Sequence, residues 1–124
     1  MSKPINVKKV EKPWGKEFWL ANNKDHDYCG KILIINPGSG TSLHFHSKKH
    51  ETFYVLEGSL ELTLIDTETT EEHTVCMEEG NAFELSQNVP HRLESGEGAK
   101  IIEISTFHED SDSYRVLKLS LIHI

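Results

Sequence analysis

The sequence lacks the features that mark a membrane-bound or secreted protein. No apolar run approaches the roughly 18 residues that span a bilayer, and the first residues, Met1–Pro4, lack the apolar core of a signal peptide. There are two cysteines, Cys29 and Cys76, which are far apart and form no CxxC pattern. We therefore predict a cytoplasmic protein with two reduced thiols and no disulfide.

Positive charge is also scarce. The chain of 124 residues carries 13 basic and 20 acidic side chains, a formal net charge of −7. Its arginines are Arg92 and Arg115. Such a composition predicts no interaction with nucleic acid, and we expect the partner to be a small molecule. The shortage of arginine also counts against a strongly anionic substrate.

No stretch of the sequence shows a sustained helical period. Short apolar or alternating segments are separated by turns rich in glycine, proline and asparagine. Lys31–Ile35 is a candidate strand that we expect to be buried on both faces. The pattern predicts an all-β sandwich or barrel. The length predicts one domain over residues 1–124, with residues 1–12 as a loosely held arm that could pair as an edge strand in a dimer.

The stretch Gly38–Gly58, GSGTSLHFHSKKHETFYVLEG, holds the strongest functional signal. His44 and His46 would lie on one face of a strand because side chains alternate along it. Two imidazoles on one face can bind a metal ion. Glu51 joins that face if residues 47–50 form a turn. We predict His91 as the fourth ligand.

The spacing of these residues resembles the first signature of the cupin superfamily. Gly38, five residues, His44-x-His46, four residues, Glu51, six residues and Gly58 match that signature in every fixed position. The resemblance implies a double-sheet jelly-roll β-barrel, that is, a cupin fold.

A second cupin signature begins at Gly80 and ends at His91, and it matches only in part. Ser86 stands where the family usually has proline, and Asn88 stands where it usually has glycine. Together the two signatures indicate a cupin whose metal ligands are His44, His46, Glu51 and His91.

Three imidazoles and a carboxylate suit several divalent transition metals. Zinc, manganese, iron, nickel and cobalt all accept this donor set, and the sequence does not choose among them. Four protein ligands on an octahedral ion would leave two positions for water or substrate. Four other histidines lack companions at ligand spacing, and we interpret them as surface or loop residues: His26, His73, His108 and His123. His50 lies in the turn between two ligands, and we interpret it as a surface residue, with a fifth ligand as the alternative.

Within the cupins, residues 12–116 resemble the cupin domain of mannose-6-phosphate isomerases of the kind fused to sugar-nucleotide pyrophosphorylases. The resemblance lies in short blocks: Lys12–Gly15, Leu43–His46, Val89–Glu94, Ile102–Ile104 and the acidic and arginine positions between 109 and 115. It implies metal-dependent aldose–ketose isomerisation of a sugar or sugar phosphate through an enediol.

The same resemblance implicates Arg92 in activity. On a regular strand, however, Arg92 and His91 face opposite sides, and the alternative for Arg92 is a surface ion pair with Glu94. Glu103 is our candidate catalytic base, with an outward-facing glutamate as the alternative. Lys31 is a candidate contact for a sugar phosphate at the pocket rim.

Two other functions fit the same motifs. One is an iron cupin dioxygenase, and the other is a non-catalytic cupin that binds a small sugar-like ligand. We also predict a homodimer, because the strand around Tyr54 and Leu56 is apolar on both faces and residues 117–124 form an apolar final segment.

Overall fold

The computed structural model describes residues 3–116, and the strands follow one another with short connections. The all-β prediction is confirmed, since the helical structure in this part of the chain is a single 3₁₀ turn, Asp110–Asp112. The strands are β1 Lys8–Lys12, β2 Gly15–Asn23, β3 Tyr28–Ile35, β4 Ser39–Gly40, β5 His44–His46, β6 Glu51–Ile65, β7 Glu72–Glu78, β8 Ala82–Leu85, β9 His91–Ser95, β10 Ala99–Ser105 and β11 Ser113–Arg115.

The strands form two antiparallel sheets that share the long strand β6. The first half of β6 pairs with β10 and β8, and this first sheet continues through β3 and β2 to β1. The second half of β6 pairs with β7 and β9, and this second sheet continues through β5 to β11, with β4 on β9. The curled β-structure therefore has two sheets, which confirms the predicted double-sheet architecture.

The change of sheet along β6 occurs around Gly58. This glycine has a φ of +81°, and a Cβ there would lie 2.1 Å from the carbonyl oxygen of Gly98. A side chain would meet both backbone strain and a backbone clash. The glycine that closes the first motif therefore lets β6 pass between the sheets.

The core lies between the inward faces of the two sheets. Its buried members come from strands of both: Leu33, Ile35, Phe53, Val55, Leu60, Leu62, Met77, Leu85, Leu93, Ala99 and Ile101. Along β3, however, burial alternates, and Ile32 and Ile34 are only half-buried. The prediction that this strand is buried on both faces is wrong, because the described residues leave the outer face of the first sheet partly exposed.

The N-terminal residues also differ from the prediction. Residues 8–12 are not a loose arm, because β1 forms a hairpin with β2 in a register that runs from Lys8 opposite Trp19 to Lys12 opposite Gly15. At the other end, β11 pairs with β5, and the predicted apolar final segment, residues 117–124, lies outside the described residues. Within residues 3–116, no helix is long and apolar enough to cross a bilayer.

Candidate metal centre

Three strand ends bring the predicted ligands together. In the register of β5 and β9, His44 lies opposite His91. His46 follows two residues later on the same strand, and its neighbour on the other side is Ser113 of β11. Residues 47–50 are not in a strand and β6 begins at Glu51, so the predicted turn is confirmed.

The three imidazoles form a compact cluster. One ring nitrogen from each of His44, His46 and His91 lies within 4.8 Å of the others. Two ligand nitrogens that share one ion are about 3.0–4.2 Å apart at metal–nitrogen distances near 2.1 Å. The Oε2 atom of Glu51 lies 3.7 Å from Nε2 of His46 and 3.4 Å from Nε2 of His91. The three imidazoles and the carboxylate are therefore close enough together to be candidate ligands of one cation.

Backbone carbonyls fix the orientation of all three rings. The Nδ1 atoms of His44, His46 and His91 lie 2.8, 3.1 and 2.9 Å from the carbonyl oxygens of Ser42, Asp112 and Val89. Because a carbonyl only accepts, each Nδ1 carries the proton and each Nε2 keeps its lone pair. This is the outer hydrogen bonding that orients metal-binding histidines.

Within residues 3–116, one buried nitrogen of the site lacks a hydrogen-bond partner, and a bound cation would take the place of that partner. Among the described residues, Nε2 of His91 is the buried side-chain polar atom without a hydrogen-bond partner. Such an atom costs about 1–3 kcal/mol. The donor set, three neutral imidazoles beside one carboxylate, is the one that zinc, iron, manganese, nickel and cobalt accept. The residues present therefore fit a divalent transition metal.

Burial governs the protonation of these groups. Burial lowers the pKa of His46 to about 4 and that of His91 to about 3, and nearby positive charge adds to both effects. Both rings are thus neutral, as ligands must be. Burial and the neighbouring charge of Glu103 raise the pKa of Glu51 to about 8. A cation beside Glu51 would favour its ionised form.

The cluster forms one wall of a cavity of about 550 Å³. This volume is within the range of pockets that hold small molecules. In the described part of the chain, four basic and four acidic side chains line the cavity: Lys12, Lys31, Lys49, Arg115, Glu17, Glu51, Glu103 and Asp110. The chain as a whole is acidic, but the acidic and basic side chains around this cavity are equal in number.

A second group of buried charges lies beside the histidines. Nζ of Lys49 lies 2.6 Å from Oε2 of Glu103 and 3.7 Å from Oε1 of Glu51, and all three side chains are almost fully buried. Burial disfavours charge on Lys49, but the two carboxylates outweigh it and raise the pKa of Lys49. Burial likewise opposes ionisation of Glu103, yet Lys49 and Lys31 lower its pKa to about 2. Lys49 and Glu103 are therefore a charged pair.

Glu103 lies in the cavity and Arg92 lies outside it, while the catalytic role predicted for Glu103 stays a prediction. Glu103 faces the cavity from the centre of β10. Arg92 is exposed, and its Nη2 atom lies 3.4 Å from Oε2 of Glu94. It lines a different groove, on the outer face of the second sheet. Since β9 is regular and His91 points inward, Arg92 points outward, and the surface ion pair is the alternative that occurs.

The side chains of two other residues are more buried than the sequence indicated. His108 lies in a loop, as predicted, but its side chain lines the cavity: its Nδ1 atom is 3.1 Å from Nζ of Lys49, and its Nε2 atom is 2.8 Å from Asp110. Lys31 is not at an exposed rim but is 2% exposed, with Nζ 3.4 Å from Glu17 and 4.2 Å from the ring centroid of Trp19. By contrast, His50 is a partly exposed partner of Glu84.

Lys49 and Asp112 are the site residues that sequence reasoning missed. In the sequence Lys49 looks like an ordinary lysine in a turn. Its position between two predicted ligands, His46 and Glu51, is the one signal that could have identified it as a site residue. The Asp112 carboxylate accepts hydrogen bonds from the backbone N–H groups of Ser47, Lys48 and Lys49 and from the Ser47 hydroxyl. Its carbonyl oxygen accepts from His46. Asp112 therefore holds the turn between the ligands.

We expect Asp112→Asn to weaken metal binding by about tenfold or more, because outer partners of ligands contribute about 10- to 100-fold. The amide would turn an N–H group toward N–H donors of the turn, so the free energy of unfolding should also fall by about 1–3 kcal/mol. Titration with cobalt or zinc and thermal unfolding measure the two effects. Glu109→Gln, in the same loop, is the matched control, because the Glu109 carboxylate pairs with the exposed Lys48 at the surface. Equal affinity in both variants would refute this role.

Comparisons with known proteins agree with this geometry. The family described as "Cupin domain" matches residues 31–105, more than half of the chain. A segment of 62 residues, 50% of this chain, is 36% identical to mannose-1-phosphate guanylyltransferase 2 of Escherichia coli O157:H7. That segment covers 12% of the guanylyltransferase, so the chain spans only a small part of this curated relative.

Two solved structures illustrate the similarity of fold. Oxalate decarboxylase from Bacillus subtilis superposes with a TM-score of 0.76 at 18% identity, over 89% of this chain and 30% of that one. The capsular polysaccharide assembling protein CapF from Staphylococcus aureus superposes with a TM-score of 0.79 at 17% identity, over 93% of this chain and 32% of that one. At these identities the likeness concerns the fold alone.

Proposed function

Since the chain belongs to the cupin family, we propose that its cavity is the active site of a metal-dependent isomerase for a small sugar or sugar phosphate. The observation that carries this proposal is a buried acid–base group, Lys49 with Glu103 and His108, directly beside the histidine cluster. Aldose–ketose isomerisation needs polarised substrate oxygens and a group that moves a proton between neighbouring carbons. Both requirements have candidate residues here.

His44, His46, Glu51 and His91 would hold the ion. A divalent cation bound there would act as a Lewis acid on a carbonyl or hydroxyl oxygen of the substrate. All other steps of the proposed reaction belong to side chains of the chain itself.

Lys49 supplies positive charge inside the cavity. Its ammonium group is buried and stays charged because of Glu103 and Glu51. In the proposed reaction it stabilises the negative charge that develops on a substrate oxygen as the enediol forms. Fixed charges are most effective in a water-poor site, because little solvent competes for them.

Glu103 is the proposed proton-transfer group. It is ionised at neutral pH, as a base must be before it accepts a proton, but the attraction of Lys49 makes it a weak base. It can therefore take a proton only from a carbon that has been made more acidic by the charges around it. His108, a neutral ring between Lys49 and Asp110, orients the lysine from the other side.

The charge of the cavity supports a neutral or anionic substrate. Its four basic and four acidic side chains balance formally, so a divalent cation would leave the loaded cavity positive. This local balance removes the objection that an acidic chain with two arginines would repel a phosphorylated sugar. The mannose-related name of the guanylyltransferase also agrees with a carbohydrate.

The test is turnover in D₂O with the protein loaded with zinc, manganese, cobalt, nickel or iron in turn. Aldoses, ketoses and their phosphates are the substrates, and NMR reports both the isomer formed and deuterium at the carbon next to the carbonyl. We expect isomerisation with deuterium incorporation for at least one sugar. Oxygen uptake with an organic acid and iron would instead indicate a dioxygenase. A ligand-dependent rise in melting temperature without turnover would indicate a binding protein.

A further inference from the structure

The outer face of the first sheet carries an apolar row that crosses five strands. The pairings Phe18–Ile32, Ile32–Ile102, Ile102–Tyr54 and Tyr54–Ala82 place these five side chains side by side from β2 to β8. Ile34 lies in the row above, and Ile104, 61% exposed, lies in the row below. In a sheet with one face in the core, the other face normally alternates to polar residues. Here the outer face of the first sheet carries a continuous apolar row as well.

The outer face of the second sheet provides a comparison within the same fold. On β6, β7 and β9 its outward residues include Glu61, Thr63, Thr74, Arg92 and Glu94, and at its far edge Phe45 of β5 stacks on Tyr114 of β11. Both faces belong to one curled sheet, and both are on the outside. The apolar residues of the first sheet are therefore not required by the fold, and contiguous apolar surface of this kind marks interaction sites.

The charges around the apolar row favour a second copy of this chain as the partner. Among residues 3–116, the charged side chains on the strands of this face are three lysines and three glutamates: Lys9, Lys16, Lys100, Glu11, Glu57 and Glu84. The face is thus neutral, although the chain carries a net charge of −7. Two such faces can approach each other without the repulsion that acidic surfaces would cause.

We propose that the outer face of the first sheet is the interface of a homodimer. If a two-fold axis ran between β3 and β10, parallel to the strands, Phe18 would face Tyr54 of the second copy and Ile32 would face its Ile102. The same operation would set Lys16 against Glu57. The arrangement is isologous, since each contact occurs twice.

The size of the face fits an interface core with a polar rim. Five strands at about 4.8 Å spacing and three rows of side chains span an area on the order of 400 Å² in projection. A typical dimer buries about 800 Å² on each partner. The lysines and glutamates that flank the apolar row would supply the rest as a rim, as interfaces usually have. This interface is independent of the proposed function.

The test is the mass of the full chain by light scattering and sedimentation over the micromolar range. We expect a dimer in the unmodified protein, and we expect Ile104→Glu to raise its dissociation constant at least 100-fold. Because Ile104 is exposed in the single chain, the variant should fold normally, which its melting curve checks. Thr74→Glu adds the same charge to the outer face of the second sheet and should leave the dimer intact.

Three outcomes would overturn the proposal. The first is a mass equal to that of one chain for the unmodified protein at 50 µM or above. This result would overturn the proposal even if residues 117–124 of the same chain covered the face. The second is a dimer that Ile104→Glu does not weaken. The third is a dimer that Thr74→Glu disrupts as strongly as Ile104→Glu does, because the interface would then not be specific to the first sheet.

Discussion

His91→Ala is expected to abolish metal binding, with a loss of affinity of more than about 100-fold. Outer-sphere partners alone contribute about 10- to 100-fold, and His91 is at the centre of the cluster, in ring contact with both other histidines and 3.4 Å from Glu51. Metal analysis of protein purified without chelators, and titration followed by cobalt absorption, would measure the loss.

The same change should remove the stabilisation that metal gives to the folded protein. At a free metal concentration of 100 times the dissociation constant, that stabilisation is about 2.7 kcal/mol. The unmodified protein should therefore melt at a higher temperature with metal than with a chelator, and His91→Ala should melt at one temperature in both. Arg92→Ala is the matched control, since the next side chain along β9 points outward and pairs with Glu94. Full metal occupancy in His91→Ala would remove the basis of the candidate centre.

Glu103→Gln is expected to lower kcat by about 10²- to 10⁴-fold while leaving metal content unchanged. Loss of a positioned proton-transfer group typically costs that much. Glutamine keeps the shape of the side chain and can still accept a hydrogen bond from Lys49, which lies 2.6 Å from the carboxylate. The fold and the histidine cluster should therefore persist.

Two readouts separate a catalytic role of Glu103 from a structural one. Incorporation of deuterium from the solvent into the substrate should fall together with kcat, because both require removal of the same proton. The KM should change little. Glu94→Gln, on the outer side of β9, is the control and should retain normal kinetics. Unchanged deuterium exchange in Glu103→Gln would show that another group moves the proton.

Much of the metal centre followed from spacing along the sequence. His44 and His46 share a face because strand side chains alternate, and the odd offset to Glu51 required the turn that the structure contains. The same alternation offered an outward-facing Arg92 as one of two alternatives, and this is the one that occurs. These predictions needed only the period of a strand, which is a local property.

The charged group beside the centre could not be predicted in that way. Lys49 is buried because Glu103, on β10, and Glu51 offset the cost of removing its charge from water. His108 lies in the cavity because its loop passes Asn22 of β2, with which it exchanges two hydrogen bonds. In the sequence these residues look like those of any solvated loop.

By itself, the sequence determined the all-β architecture, the two faces of each strand and the donor atoms available for a cation, since alternation and turns are set by neighbours along the chain. Only the tertiary structure decided which charges are buried, which lysine stays ionised and which apolar side chains of the described residues share an outer sheet face. The physical reason is that desolvation and Coulomb energies depend on groups that are distant in sequence, such as Lys31 and Glu103, which are brought opposite each other by strand pairing.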